Sequence, residues 1–207
     1  IVIPLILGII NFSIKGAAAK QFALASSTVT LIIALIASCN FLQGEQLSFN
    51  ANWIASLGAT FSLSTGSMSI LMVLLTAIVF FITIVAQQNK PLEEENRFYG
   101  LMQLGQAGLM GVFLANDLLL FYFFWELALI PIYFLSSQWG GEKRVKITFK
   151  FFVYTFLGSL ILLAGIIYLY LLTPSQSFDI NTIIATGKSL PSQTQIVLFV
   201  MFFIAFA

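Results

Sequence analysis

Residues 98–137 read FYGLMQLGQAGLMGVFLANDLLLFYFFWELALIPIYFLSS, and their only charged residues are Asp117 and Glu126. A helix crosses the hydrocarbon core of a bilayer in about 20 apolar residues. The stretch is therefore too long for one crossing and too apolar for a soluble loop. It divides at Asn116 and Asp117, two polar residues able to cap a new helix and to favour its positive N-terminal dipole.

Working outward from that break, the same length criterion gives spans at residues 1–13 (partial), 21–42, 67–88, 98–115, 117–138, 147–172 and 194–207 (partial). The reading is a single membrane domain over 1–207, with about five whole and two partial helices, in the all-α class of polytopic transmembrane bundles. Residues 43–66 form an outer loop whose alternating stretch FSLST near Gly58 fits a short hairpin. Both ends of the chain fall inside apolar runs, so we expect a longer protein. The opening run IVIPLILGIINF lacks the basic n-region and the cleavage site of a signal peptide.

Composition agrees with lipid as the solvent. Of 207 residues, 59% are hydrophobic and 8% charged, where soluble domains carry roughly 25% charge. Phenylalanine occurs 22 times, and the mean hydropathy is +1.00. A net charge of +1 offers no basic patch for nucleic acid. With no His and only Cys39, the chain has no Cys/His metal set and no disulfide framework.

Basic residues sort by loop. Lys15 and Lys20 lie in the first loop, Lys90 and Arg97 in the third, and Lys143, Arg144 and Lys146 in the fifth. The second and fourth loops have none, and the sixth has Lys188 alone. The positive-inside rule then puts the odd loops on the cytoplasmic side.

Glu126 is the one acid deep inside a predicted span. It lies roughly 14 Å or more from either end of its helix at 1.5 Å per residue, beyond the reach of a snorkelling side chain. An acid at the bilayer centre costs about 2.5 kcal/mol or more to insert and usually faces protein, a wet cavity or a counter-charge. One reading is a protonated Glu126 that bonds a neighbouring helix. The other is a proton carrier, because desolvation raises a carboxyl pKa, a nearby cation lowers it, and movement of that cation loads or unloads the proton. Tyr122 at i−4 and Tyr133 at i+7 share its helix face, and Pro131 removes a backbone hydrogen bond and is read as a helix kink beside it.

Lys150, near the start of the next span, has two readings as well. Its ammonium snorkels to the interface, or it contributes to the field at Glu126 or to a polar path from the cytoplasm. Thr148, Tyr154, Thr155 and Ser159 on the same span are candidates to line such a path. Gly105, Gly108 and Gly111 read as a close helix contact, and Glu93, Glu94 and Glu95 as a solvated turn. No Gly-rich phosphate loop, nucleophile elbow or paired catalytic carboxylates occur in the sequence.

The stretch NDLLLFYFFWELALIPIYFLSSQWGGEKR, followed by KFFVYTFLGSLILLAGIIYLY, resembles the antiporter-like membrane subunits of respiratory complex I. The outer segment NWIASLG and the following GSMSILMVLLT resemble them too, with Thr65 standing where an Asp is expected before Gly66. The resemblance covers nearly all of this chain but only the first part of such a subunit.

It implies a longer bundle of two inverted repeats, and a proton-translocating role for Glu126 paired with a Lys on the helix that follows. That Lys would lie just beyond Ala207. It also implies a less defined role for Lys150. Other membrane subunits and the lipid bilayer are the expected partners. The redox chemistry, with NADH, FMN, iron–sulfur clusters and quinone, is expected on partner subunits, and the membrane on a bacterial plasma membrane. A subunit of a cation/proton antiporter or of a membrane-bound hydrogenase is the nearest alternative, and a non-translocating scaffold is the other.

Overall fold

The computed structural model describes residues 1–89 and 92–206. Two residues used above, Lys90 of the third loop and Ala207 of the last span, lie outside them. In chain order the elements are α1 (Val2–Asn11), α2 (Ala17–Leu42), β1 (Ser48–Ile54), β2 (Ala59–Ser64), α3 (Ser67–Gln87), α4 (Glu95–Leu114), α5 (Leu118–Trp139), α6 (Arg144–Leu172), α7 (Ile180–Ser189) and α8 (Ser192–Phe206).

Four of these helices, α2, α3, α5 and α6, are long and apolar enough to cross a membrane. Their outward faces carry large exposed aliphatic side chains such as Ile32, Ile36, Leu71, Ile78, Ile82 and Leu157. In water such a surface would drive aggregation, whereas in lipid it is the favourable one.

Helix α4 differs in kind. At 20 residues it has the length of a span, but it carries Gln103, Gln106 and four glycines and falls short of the hydropathy of the other four. Its position explains this, since α4 packs against α1, α2, α3 and α5 at once and so meets its neighbours rather than lipid. The α4–α5 contact is the most extensive among the helices. A Cβ at Gly108 would sit 2.8 Å from Ala128 Cα, and one at Gly111 would collide with the Phe124 ring. Glycine at both positions lets the two backbones approach.

The segment between α2 and α3 forms an antiparallel hairpin in which Phe49 pairs with Leu63 and Ala51 with Phe61, with an irregularity between Asn52 and Ile54. Its tip turns through Ala55–Leu57 into Gly58, whose φ of +66° is left-handed. A side chain there would also strike the Gln176 carbonyl at 2.6 Å, so the hairpin tip is held under the loop that leaves α6. At the hairpin base Thr65 accepts from the Leu47 N–H at 2.9 Å and donates its hydroxyl to the Leu47 carbonyl at 3.1 Å. Threonine thus closes the turn at the position where the resemblance led us to expect Asp.

The stretch 173–193, read from sequence as a loop, contains the short helix α7. Asp179 caps it, accepting from the N–H and the hydroxyl of Thr182, both at 2.9 Å. Its 10 residues are too few to span a bilayer.

Candidate functional site

The site is built from the start of α5. Asp117, fully buried, accepts from the N–H groups of Leu119 at 2.9 Å and Leu120 at 3.1 Å through one carboxylate oxygen. The other oxygen accepts from the N–H of Thr60 at 2.9 Å and from its hydroxyl at 3.2 Å. One side chain therefore starts the helix and fastens it to β2. Asn116 adds a backbone bond, donating to the Ser62 carbonyl at 2.8 Å. From this anchored start α5 runs unbroken to Trp139, through Pro131.

Residues of α5 alternate between two seams. Phe124, Ala128 and Pro131 face the glycines of α4. Tyr122, Glu126 and Tyr133 lie on the opposite side, where α6 packs. The Tyr133 ring sits 4.9 Å from the Phe152 ring of α6, centroid to centroid. The Tyr122 hydroxyl stands close enough to interact with both the Glu126 carboxylate and the Ser159 hydroxyl of α6. Glu126 itself is half-buried. Its Oε1 is enclosed and has no hydrogen-bond partner among the described residues.

Three of the sequence candidates therefore come together, namely Glu126, Tyr122 and Ser159. Ser159 is almost wholly buried and donates to the Phe156 carbonyl at 2.9 Å. Thr148 is buried on the same α6 face. Thr155 lies there too, but its hydroxyl is committed to the Phe151 carbonyl at 2.9 Å.

Lys150 and Tyr154 are placed elsewhere. Phe152 and Ser159 mark the α6 face turned to α5, and Lys150, two positions before Phe152, stands roughly 200° round the helix from it. Lys150 is exposed and Tyr154 is 72% exposed, so within this chain neither faces Glu126. Among the described residues the one ion pair joins Arg97 to Glu94 at 2.7 Å. No three metal-ligating side chains gather among them.

The end of α8 approaches the site from a third side. Phe206 packs edge-on against Trp125, with ring centroids 5.4 Å apart, next in sequence to Glu126. Sequence reading passed over Trp125, and an aromatic residue in an aromatic-rich span gives no signal of its own. It also passed over Gln103 and Gln106, whose signal is plain: two amides three residues apart inside a span.

Chemically, a carboxyl group, a phenol and an alcohol in sequence are three exchangeable hydrogen-bonding groups.

Residues 115–207, which carry the whole α5–α6 seam and α8, match the family described as NADH:quinone oxidoreductase/Mrp antiporter, TM. The F(420)H(2) dehydrogenase subunit M of Methanosarcina mazei is 37% identical over 193 residues, covering 89% of this chain and 39% of the relative. The NADH-quinone oxidoreductase subunit M of Rhodobacter capsulatus is 32% identical over 203 residues, covering 91% and 39%.

Among solved structures, respiratory complex I from Thermus thermophilus with bound NADH contains a chain with TM-score 0.83 and 28% identity, matched over 99% of this chain and 42% of that one. The chain thus spans about two fifths of the length of its relatives. With that family match, these relatives and this fold, residues 115–207 carry the membrane segment of the NADH:quinone oxidoreductase/Mrp antiporter family, and the chain is an integral membrane protein with the fold of antiporter-like membrane subunits.

Proposed function

We propose that this chain is the N-terminal part of a proton-translocating membrane subunit of a respiratory NADH-quinone oxidoreductase, in which Glu126 takes up and releases the proton. The observation that carries the reading is the enclosed, unpartnered Oε1 of Glu126 on the α5–α6 seam, near Tyr122, which in turn stands near Ser159. Such a carboxyl responds strongly to any charge that moves near it, because little water screens the interaction.

The energy scale fits. Moving one elementary charge across 100 mV costs about 2.3 kcal/mol, equivalent to a pKa change of about 1.7 units. A few ångströms of cation movement in a poorly solvated site supplies that much. The cation expected from the family is a Lys following Ala207, and the contact of Phe206 with Trp125 brings the chain's course to that side of Glu126. Oxidation of NADH and reduction of quinone, with FMN and iron–sulfur clusters, belong on this reading to partner subunits. The bacterial plasma membrane is the proposed location.

The test is Glu126→Gln in the assembled complex, reconstituted in vesicles. Electron transfer that continues while proton uptake into the vesicles is lost or greatly reduced supports the reading. Pumping at the wild-type ratio of protons to electrons overturns it in favour of a scaffold. The family description also names Mrp antiporters, so a second reading is an antiporter subunit. Purification with cation/proton exchange activity and without an electron-accepting arm would favour it.

A further inference from the structure

Away from Glu126, five side chains carry buried polar atoms with no hydrogen-bond partner among the described residues: both amide atoms of Asn11, Gln103 and Gln106, and the hydroxyls of Ser26 and Tyr99. Asn11, Tyr99, Gln103 and Gln106 are 0% exposed and Ser26 is 3% exposed. Native interiors rarely leave such atoms unpaired.

These residues occupy one place in the fold. Tyr99, Gln103 and Gln106 fall at i, i+4 and i+7 on α4, a single stripe that continues to Met110. On α2 the matching stripe is Ala23, Ser26, Thr30 and Ala34. Ala23 packs with Tyr99 in one apolar cluster and Ala34 with Met110 in another. Ser26 and Thr30 must therefore lie level with Gln103 and Gln106. Helix α1 closes the third side, since a Cβ on its Gly8 would meet Gln103 Cβ at 3.1 Å, and Asn11 lies one turn further on the same buried face.

The result is a polar layer between α1, α2 and α4, capped along the bundle by two apolar clusters. At one end stand Ile84, Phe98 and Tyr99, and at the other Val73, Ala77 and Met110. The layer is already enclosed by this chain's own helices, so no partner subunit, lipid or later segment can reach those amides. Eight polar atoms left unpaired among the described residues in one layer are what a small polar molecule inside it would satisfy, and water is the one a cell supplies without limit.

We infer that the Asn11, Ser26, Gln103 and Gln106 layer is a binding site for a cluster of internal water molecules that bridges α1, α2 and α4. The site is distinct from the Glu126 seam. Gly108, which faces α5, is two positions from Gln106 and so roughly 200° round α4 from it. The inference stands whether or not Glu126 carries a proton.

Radiolytic hydroxyl-radical labelling of the assembled complex tests it, because bound water generates radicals beside the residues it touches. Tyr99 should be labelled several-fold faster, relative to the unfolded chain, than Phe124, which is equally buried in an apolar cluster. The double variant Gln103→Leu, Gln106→Leu should bring Tyr99 down to the Phe124 level. The wild-type measurement stands alone if that variant fails to assemble. Tyr99 as protected as Phe124 in the wild type overturns the inference, as does a structure showing ordered solvent elsewhere but direct pairing of the Gln103, Gln106, Asn11 and Ser26 side chains.

Discussion

The Phe206 ring meets the Trp125 ring edge-on at 5.4 Å, which docks the far end of α8 on the residue preceding Glu126. An aromatic pair of this geometry contributes about 1 kcal/mol beyond the area it buries. Trp125→Ala should therefore loosen α8 against α5 and lower pumping more than it lowers electron transfer. Measuring the ratio of protons to electrons in vesicles checks this, and an unchanged ratio would mean that the contact only packs. The residues that follow Ala207 should include a Lys within the next few positions, which sequencing the adjoining region decides.

Asp117 caps α5 and holds Thr60 of β2 with the same carboxylate. Asp117→Ala removes a helix cap and leaves the half-buried Thr60 N–H without its acceptor. The combined loss is about 2 kcal/mol or more. Lower thermal stability of the complex and faster proteolysis of the hairpin are the expected readouts. Asp117→Asn should retain part of the cap and fall between.

At the α4–α5 contact, Gly108→Ala forces a methyl to 2.8 Å from Ala128 Cα. Overpacking of this kind costs about 1–3 kcal/mol. Gly141→Ala is the control, because a Cβ there meets nothing within 4 Å. The yield of assembled complex in detergent should fall for the first substitution and hold for the second.

Tyr122→Phe deletes the hydroxyl near Glu126, and Ser159→Ala the one near Tyr122, each while keeping shape. Both should slow pumping by a smaller factor than Glu126→Gln, and the double variant should be non-additive, as expected for groups in one network. Lys150→Met should leave stability within about 0.5 kcal/mol, the usual range for exposed positions. A change in pumping without a change in stability would then report an electrostatic role for Lys150 in the assembled protein. No change in either would leave it as an interface anchor.

The helical membrane class was legible because apolar runs of fixed length are what lipid demands, and the α5 start was legible because Asp117 is a capping residue at a polar interruption. Glu126 stood out for the same reason, as a charge where charge is expensive. Other features were hidden. Helix α7 escaped notice because INTIIATGKS is short and mixed in character, and its Asp179 cap makes sense only once the helix is seen. The rotational setting of α6, which turns Ser159 toward Tyr122 and Lys150 away, depends on how two apolar helices interlock. No single span encodes that.

The polarity of α4 bears on how the protein is made. A segment with two glutamines in its middle and four glycines gains less from entering lipid than α2, α3 and α5 do. Its insertion must lean on its packing partners, α1 to α3 made before it and α5 made after it. Biogenesis of the chain is then cooperative at this point, and a defect in the earlier helices would strand α4 at the membrane surface during synthesis.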